Sequence, residues 1–279
     1  MAFGLVGSFF VVELVVGLWA QSLALLSDAG HMAADVVALG AALAATRIAV
    51  RPDRTGRRTF GSYRAEVFAS GFTVLVMLGT AAYVGVEAVR RAGEAAEPAS
   101  GPMLVVGVLG LGVNVVALVL LRGGATESLA VKGAYLEVVA DSLGSVGVIV
   151  AGVLVLTTGQ AGWDTGVAVA IALFVAVRAV LLGREVLTVL GQHAPAGIDP
   201  DSVAAGLERL PGVVEVHDLH LWTLTSGMHV ATAHVVAAPE HDREAVLAGA
   251  RALLRERHDI DHATVQVETD ATACEELSW

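Results

Sequence analysis

Cysteine and charge are both scarce in this chain. A single cysteine among 279 residues excludes an intrachain disulfide and a thiolate-rich zinc cage. Charged residues make up 16% of the chain and hydrophobic residues 55%, with a mean hydropathy of +0.70, unlike an average soluble domain. The net charge of −11 argues against nucleic acid as a partner. The chain has no H-E-x-x-H motif, which argues against a membrane metalloprotease, and we expect no enzyme.

The hydrophobic residues are concentrated before residue 191. A transmembrane helix needs about 20 apolar residues to cross about 30 Å of hydrocarbon. Six stretches qualify, at approximately residues 2–20, 23–48, 63–90, 101–122, 130–157 and 163–190. Residues 192–279 have the dispersed charge of a soluble domain. We therefore predict an α-helical membrane protein with a six-span domain over residues 1–191 and a cytosolic domain over residues 192–279.

The basic residues of the short loops predict the orientation in the membrane. Arginine and lysine are concentrated in the connections 47–64 and 122–132, whereas the turns after the first and fifth spans contain neither. Arg90 and Arg91 run against this pattern but are outnumbered. Both termini are thus expected in the cytoplasm, with the protein in the inner (plasma) membrane. No cleavable signal peptide is expected, because the first apolar stretch lacks a basic region before it.

The tail alternates between helical and strand patterns. The patterns predict helix, strand, strand, helix and strand over Pro200–Leu210, Val213–Leu224, Met228–Ala237, Arg243–Arg257 and Ala263–Glu268. Asp199 is suited to cap the first of these helices, and Ser226-Gly227 to form the turn between the first two strands. This order predicts a small ferredoxin-like α+β domain whose helices cover one face of the sheet.

Two pairs of ionisable side chains interrupt apolar spans. The second span holds His31 and Asp35, and the fifth holds Glu137 and Asp141. Each pair has i, i+4 spacing, which places both side chains on one helix face. Ionisable groups at membrane depth are costly and are typical of ion or proton pathways. An imidazole with carboxylates suits Zn²⁺ and similar ions, so we predict a four-ligand transport site. Alternatively, the four groups only pair with one another.

Other polar side chains in the spans are less specific. Glu13 and Asn114 could line the pathway or make interhelical hydrogen bonds. Glu66 and Glu87 lie near span ends and are expected to reach solvent. Glycines such as Gly144, which follows Asp141, could let helices approach closely, or could reflect the general abundance of glycine in membrane helices.

The tail is rich in histidine. Seven histidines fall between residues 217 and 262. In the predicted sheet, His217 and His234 could face each other across a strand pair, and Glu268 and Asp270 could complete a metal site with them. The other histidines could be ordinary surface residues, as we expect for His220, His229 and His258.

Four segments resemble the cation diffusion facilitator family. They are SLALLSDAGHMAADVVAL, TFGSYRAEVFAS, GAYLEVVADSLGSVGVIVAG and VHDLHLWTL. The resemblance extends from about residue 10 to residue 270 and is greatest to the bacterial zinc/cadmium/cobalt efflux branch. It implies a homodimer that exports divalent metal in exchange for protons.

The resemblance also implies specific ligands. The family's transport site carries over to His31, Asp35, Glu137 and Asp141. Its cytosolic metal sites carry over to His217, His234 and an acidic residue near Glu268, and more loosely to His241. This chain has Glu137 where zinc members usually have His or Asp, and it lacks a histidine-rich loop at 122–132. The choice among Zn²⁺, Cd²⁺ and Co²⁺ therefore stays open, with Zn²⁺ preferred.

The sequence favours proton-coupled alternating access. Metal ligands must be deprotonated to bind, so protons and metal compete for them. Two alternatives remain at this stage, a passive divalent-metal channel and a membrane-anchored metal sensor. Besides metal and protons, the expected partners are the lipid bilayer, whose anionic headgroups would meet the basic 47–64 connection, and a second copy of the chain.

Overall fold

Six long helices precede a small mixed domain. The computed structural model describes residues 2–49, 57–91, 98–122 and 129–269. The helices of the first part are α1 (Ala2–Trp19), α2 (Leu23–Ala49), α3 (Ala65–Arg91), α4 (Ser100–Leu121), α5 (Leu129–Thr158) and α6 (Gly162–Leu190). The tail contains α7 (Pro200–Glu208), β1 (Val213–Thr225), β2 (Met228–Ala237), α8 (Arg243–His258) and β3 (His262–Glu268). The predicted order of elements is confirmed.

The long helices have the length and composition of membrane spans. Among the described residues, five helices are long and apolar enough to cross a bilayer, and the Val6–Trp19 part of α1 is a shorter apolar helix. Each helix ends within two residues of its predicted boundary, because short polar turns or loops rich in glycine and proline follow the apolar runs. The protein is a multi-pass membrane protein.

The chain divides into two compact units. One comprises Met1–Arg47 and Ala69–Gly183, and the other comprises Ile48–Phe68 and Arg184–Trp279. In the first unit, fully buried side chains of several helices form an apolar core, among them Leu23, Leu25, Val84, Met103 and Val148. The boundary between residues 191 and 192 that the sequence predicts is a division by composition, whereas these units are defined by packing.

Asp164, in the first turn of α6, holds the beginning of α2. Its buried carboxylate accepts hydrogen bonds from the backbone N–H of Leu23 at 2.6 Å and of Ala24 at 3.1 Å, and from the Ser22 hydroxyl at 2.7 Å. The first N–H groups of a helix have no hydrogen-bond partner within the helix, and a carboxylate there accepts from them. Its negative charge is also attracted to the positive end of the helix dipole. This contact fixes α2 against α6.

Arg91 belongs to the same cluster of polar groups. Its guanidinium donates to the Gln21 carbonyl at 2.6 Å and to Glu87 at 3.1 Å, and it lies 3.9 Å from Asp164. Arg91 was one of the two arginines that ran against the charge pattern of the loops. Its contacts give it a structural role at the end of α3, which explains an arginine at that position.

The tail forms a three-stranded sheet covered by two helices. The strand order is β1-β2-β3, with β1 antiparallel to β2 and β2 parallel to β3. Asp199 caps α7 as predicted, accepting from the Ser202 N–H. The β1–β2 hairpin turns at Ser226-Gly227, where Gly227 has a φ of +70°. Apolar side chains of α7 and α8 pack on alternate residues of the strands, such as Ala231, Ala233 and Val235 of β2.

The hairpin turn also contacts the start of α3 within the second unit. Glu66 accepts hydrogen bonds from the Thr225 hydroxyl at 2.8 Å and from the Ser226 hydroxyl at 3.0 Å. Glu66 was expected to reach solvent, but it is partly buried by these contacts. The sequence offered no sign of this pairing, because the partners are about 160 residues away in the chain.

We predict that Asp164→Ala destabilises the membrane domain. Three hydrogen-bond donors at the start of α2 would lose a buried charged acceptor, which should lower the free energy of unfolding by about 2 kcal/mol. Thermal unfolding in detergent measures the effect. Asp201→Ala, an exposed residue in the first turn of α7, is the matched control and should change little. Equal stability of both variants would contradict the role of Asp164.

Candidate metal centres

Helices α2 and α5 bring the four predicted ligands of the transport site together. His31, Asp35, Glu137 and Asp141 each offer one ligand atom, and these atoms all lie within 4.8 Å of one another. His31 is only 4% exposed, and the three carboxylates are half-buried. Because i, i+4 residues share a helix face, two helices that meet along these faces supply all four ligands.

The imidazole of His31 is oriented by its neighbours. Its Nε2 lies 3.1 Å from Oδ1 of Asp141. Its Nδ1 is buried and has no hydrogen-bond partner among the described residues. A neutral imidazole binds a metal through one ring nitrogen and donates a hydrogen bond through the other. The His31 ring can therefore bind a metal through one nitrogen while the other carries the proton, with Asp141 beside Nε2.

Gly144 lets α5 approach α2 at this level. A Cβ added at Gly144 would lie 2.5 Å from Oδ1 of Asp28, which is one turn before His31. Gly147 likewise lets α5 approach α6 closely, because an added Cβ there would lie 3.3 Å from a side-chain carbon of Val167. These contacts favour the packing explanation for the glycines of α5.

Two more buried carboxyl groups lie near the four ligands without joining the cluster. Asp28 is 5% exposed and Glu13 is 1% exposed. Oε2 of Glu13 has no hydrogen-bond partner among the described residues, so that oxygen does not make the interhelical hydrogen bond that was one of the two expectations.

Arg178 of α6 is a residue of this site that the sequence analysis missed. Its guanidinium lies 2.6 Å from Oε2 of Glu137 and 3.3 Å from Nε2 of His31. Arg178 is the one charged residue between positions 165 and 183, which was a signal available from the sequence by the same rule that identified the four ligands.

A second cluster lies in the tail, on the face of the sheet opposite α7 and α8. His217 and His234 are directly paired across β1 and β2, as predicted, and their rings are 5.4 Å apart. Glu268 of β3 joins them, with its oxygens 3.5 Å from Nε2 of His217 and 3.0 Å from Nδ1 of His234. One ligand atom from each lies within 4.8 Å of the others. Side chains alternate between faces along a strand, which separates this cluster from the apolar core.

Asp218 is a neighbour of the tail cluster that the sequence did not indicate. It follows His217 where the β1–β2 register shifts, and its φ of +52° places its carboxylate 3.7 Å from Nε2 of His234. An irregularity of this kind redirects side chains and is not visible in an alternating pattern.

Two residues predicted for the tail site do not join it in the described part of the chain. His241 is exposed in the turn after β2, where its backbone N–H donates to Ala238 and its ring lies against Gly212. It follows the last paired residue of β2, so the sheet cannot present it beside His234. Asp270 lies outside the described residues.

Comparison with known proteins decides the family. A family model described as the cation efflux transmembrane domain matches residues 1–190, and one described as the cytoplasmic domain of cation efflux proteins matches residues 195–270. The chain belongs to the cation efflux family. The sequence-based assignment to the cation diffusion facilitators is thereby confirmed.

Characterised relatives of this cation efflux protein match along nearly its whole length. The metal cation efflux system protein CzcD of Cupriavidus metallidurans is 43% identical, over 96% of this chain and 85% of the relative. The cadmium, cobalt and zinc/H(+)-K(+) antiporter of Bacillus velezensis is 33% identical, over 97% and 88%. The zinc transporter ZitB of Escherichia coli K12 is 35% identical, over 96% and 85%.

A solved structure also matches part of the chain. It is the metal-bound C-terminal domain of the CzcD transporter, 39% identical, with a TM-score of 0.25, covering 25% of this chain and 99% of that one.

We predict that Gly144→Ala disturbs the contact between α2 and α5. The added methyl group forces Asp28 to move or the helices to separate, which should cost about 1–3 kcal/mol of stability. Thermal unfolding in detergent measures this loss. Gly79→Ala in α3 is the matched control, since an added Cβ there meets nothing within 4 Å. If both variants unfold at the wild-type temperature, close packing at Gly144 is not required.

Proposed function

We propose that this protein is a metal exporter that exchanges divalent cations, Zn²⁺ foremost, for protons by alternating access. The observation that carries the proposal is the meeting of four ligand side chains from α2 and α5, two from each helix, inside the membrane domain. Groups of this kind are costly at membrane depth and mark an ion pathway. The names of the relatives, which include metal efflux, zinc transport and antiport with protons, support the same conclusion.

The donor set determines which ions fit. One imidazole and three carboxylates provide nitrogen and oxygen ligands without thiolate, which suits Zn²⁺ and Co²⁺ and does not favour softer ions. Cd²⁺ is included because relatives carry it in their names. The ion is cargo, so the site needs ligands that bind it and also let it leave.

Protons and metal share the same atoms. A carboxylate or imidazole must be deprotonated to bind a metal ion, so a proton that binds from the outer side displaces the ion. His31 is the ligand whose residue type changes charge nearest to physiological pH, and it is our candidate for the exchanged proton. The outward release of metal is thereby coupled to the inward movement of protons.

We predict that Asp35→Ala and Asp141→Ala each abolish transport, because a three-ligand site loses both charge and affinity for the ion. Zinc flux into proteoliposomes with an imposed pH gradient measures this. Asp201→Ala, which alters an exposed carboxylate of α7, should transport at the wild-type rate. Normal flux by either site variant would refute the assignment of the site.

The same assay separates the alternatives. Flux that ignores the pH gradient would indicate a channel, and metal binding without flux would indicate a sensor. Neither alternative is favoured by a particular observation in the structure.

The tail is proposed as a cytosolic metal-binding and dimerisation domain, with both termini in the cytoplasm and the protein in the inner membrane. His217, His234 and Glu268 are the proposed ligands, since they lie together on the helix-free face of the sheet. Neither ring nitrogen of the half-buried His217 side chain has a hydrogen-bond partner among the described residues. Metal bound there could order the domain and bias the conformation of the transporter in a homodimer.

We predict that His217→Ala and His234→Ala each remove one bound zinc ion per chain from the purified full-length protein, because two ligands remain of three. Equilibrium dialysis with zinc measures the stoichiometry. His241→Ala is the matched control and should bind as the wild type does, since His241 is outside the cluster. Loss of zinc in the His241 variant alone would show that the cluster is not the cytosolic site.

A further inference from the structure

Arg178 is placed where a metal transporter would be expected to avoid a fixed positive charge. It is in α6, and the residues on either side of it, 165–177 and 179–183, carry no charged side chain. A charge isolated in this way must find partners within the helix bundle. The partners it finds are two of the four proposed metal ligands, Glu137 and His31.

The contacts are made by different nitrogens of one guanidinium. Nη2 donates to Oε2 of Glu137 at 2.6 Å, and Nη1 lies 3.3 Å from Nε2 of His31. The carbon of the guanidinium lies 5.9 Å from the centre of the Phe174 ring, one turn earlier in α6. The group is thus held between an aromatic face and the ligand cluster, with about 30% of the side chain exposed.

We propose that Arg178 is a tethered cation that competes with the transported metal ion for Glu137 and His31. The proposal rests on the proposed transport function. It adds a residue that controls the affinity of the site for the metal ion and the release of that ion. Where Nε2 is the unprotonated nitrogen of the neutral His31 ring, it has one lone pair, so it cannot accept from Arg178 and bind a metal at the same time. An oxygen of Glu137 that accepts from a guanidinium is likewise a weaker ligand.

The charge of Arg178 predicts that it weakens metal binding. Three carboxylates and a neutral imidazole around a divalent ion leave one negative charge in excess, which would hold the ion tightly in a medium of low dielectric constant. Arginine is always charged, so the guanidinium of Arg178 beside Glu137 cancels that excess. A carrier needs binding that is weak enough to let the ion leave, and Arg178 supplies this weakening.

The opposite role is also physically reasonable and predicts the opposite result. If Arg178 only positions Glu137 for the metal, its removal frees the carboxylate to move and weakens metal binding. The sign of the change in affinity therefore distinguishes a competitor from a positioning residue.

The test uses Arg178→Gln in the full-length chain. Zinc flux in proteoliposomes should show a KM about tenfold lower, together with a lower kcat, because the ion binds more tightly and leaves more slowly. Zinc titration of the purified full-length protein carrying His217→Ala and His234→Ala should show the same tightening without interference from the tail. A KM that is unchanged or higher would overturn the proposal.

Two further variants keep the test decisive. Arg178→Met also replaces the arginine by a neutral, unbranched side chain and should lower the KM in the same way. It replaces the glutamine variant in the test if that variant does not fold. Arg178→Lys keeps the charge and should stay close to the wild-type KM, whereas a KM as low as that of the neutral variants would contradict competition by charge.

A double variant shows whether the effect acts through Glu137. In a Glu137→Gln background, Arg178→Gln should change zinc affinity much less than it does in the wild type. An undiminished effect would contradict competition for Glu137. Absence of metal flux in the wild type would refute the transport function itself, whereas wild-type flux with an Arg178→Gln variant of unchanged KM would refute only the role of Arg178.

Discussion

A charged side chain inside an apolar helix must be compensated within the bundle, and this constraint explains how the helices of the membrane domain meet. Asp164 of α6 is compensated by the backbone N–H groups at the start of α2. Arg178, on the same helix, is compensated by Glu137 of α5. These two contacts tie α6 to both helices that carry the proposed ligands. The proposed transport site is thus formed by α2 and α5, and α6 contacts both of these helices.

The two clusters use similar side chains in different structural settings. The membrane cluster comes from i, i+4 pairs on two helices, where Gly144 allows close approach. The tail cluster comes from three neighbouring strands, on the face that α7 and α8 leave uncovered. In the membrane cluster the ligands also face the guanidinium of Arg178.

Much of the fold and most of the site could be predicted from the sequence. The helix boundaries follow from apolar runs that end at polar turns, and the pairing of His217 with His234 follows from the alternation of two strands around a short turn. What could not be predicted depends on contacts between distant residues. The partners of Glu66 lie in the β1–β2 turn, the orientation of Asp218 depends on an irregularity in the strand register, and His241 falls beyond the paired residues of β2. Arg178 was predictable as a functional residue but its partners were not, because the sequence does not show which face of α6 meets α5.

The central claim is that one imidazole and three carboxylates hold the transported ion between α2 and α5. Zinc X-ray absorption spectroscopy on the full-length chain carrying His217→Ala and His234→Ala tests this claim most directly, because it reports the ligands of the ion in the membrane domain. We expect a shell of nitrogen and oxygen donors at about 2.0–2.2 Å with scattering from a single imidazole. Two or more imidazoles per zinc ion, or a sulfur ligand, would contradict the account.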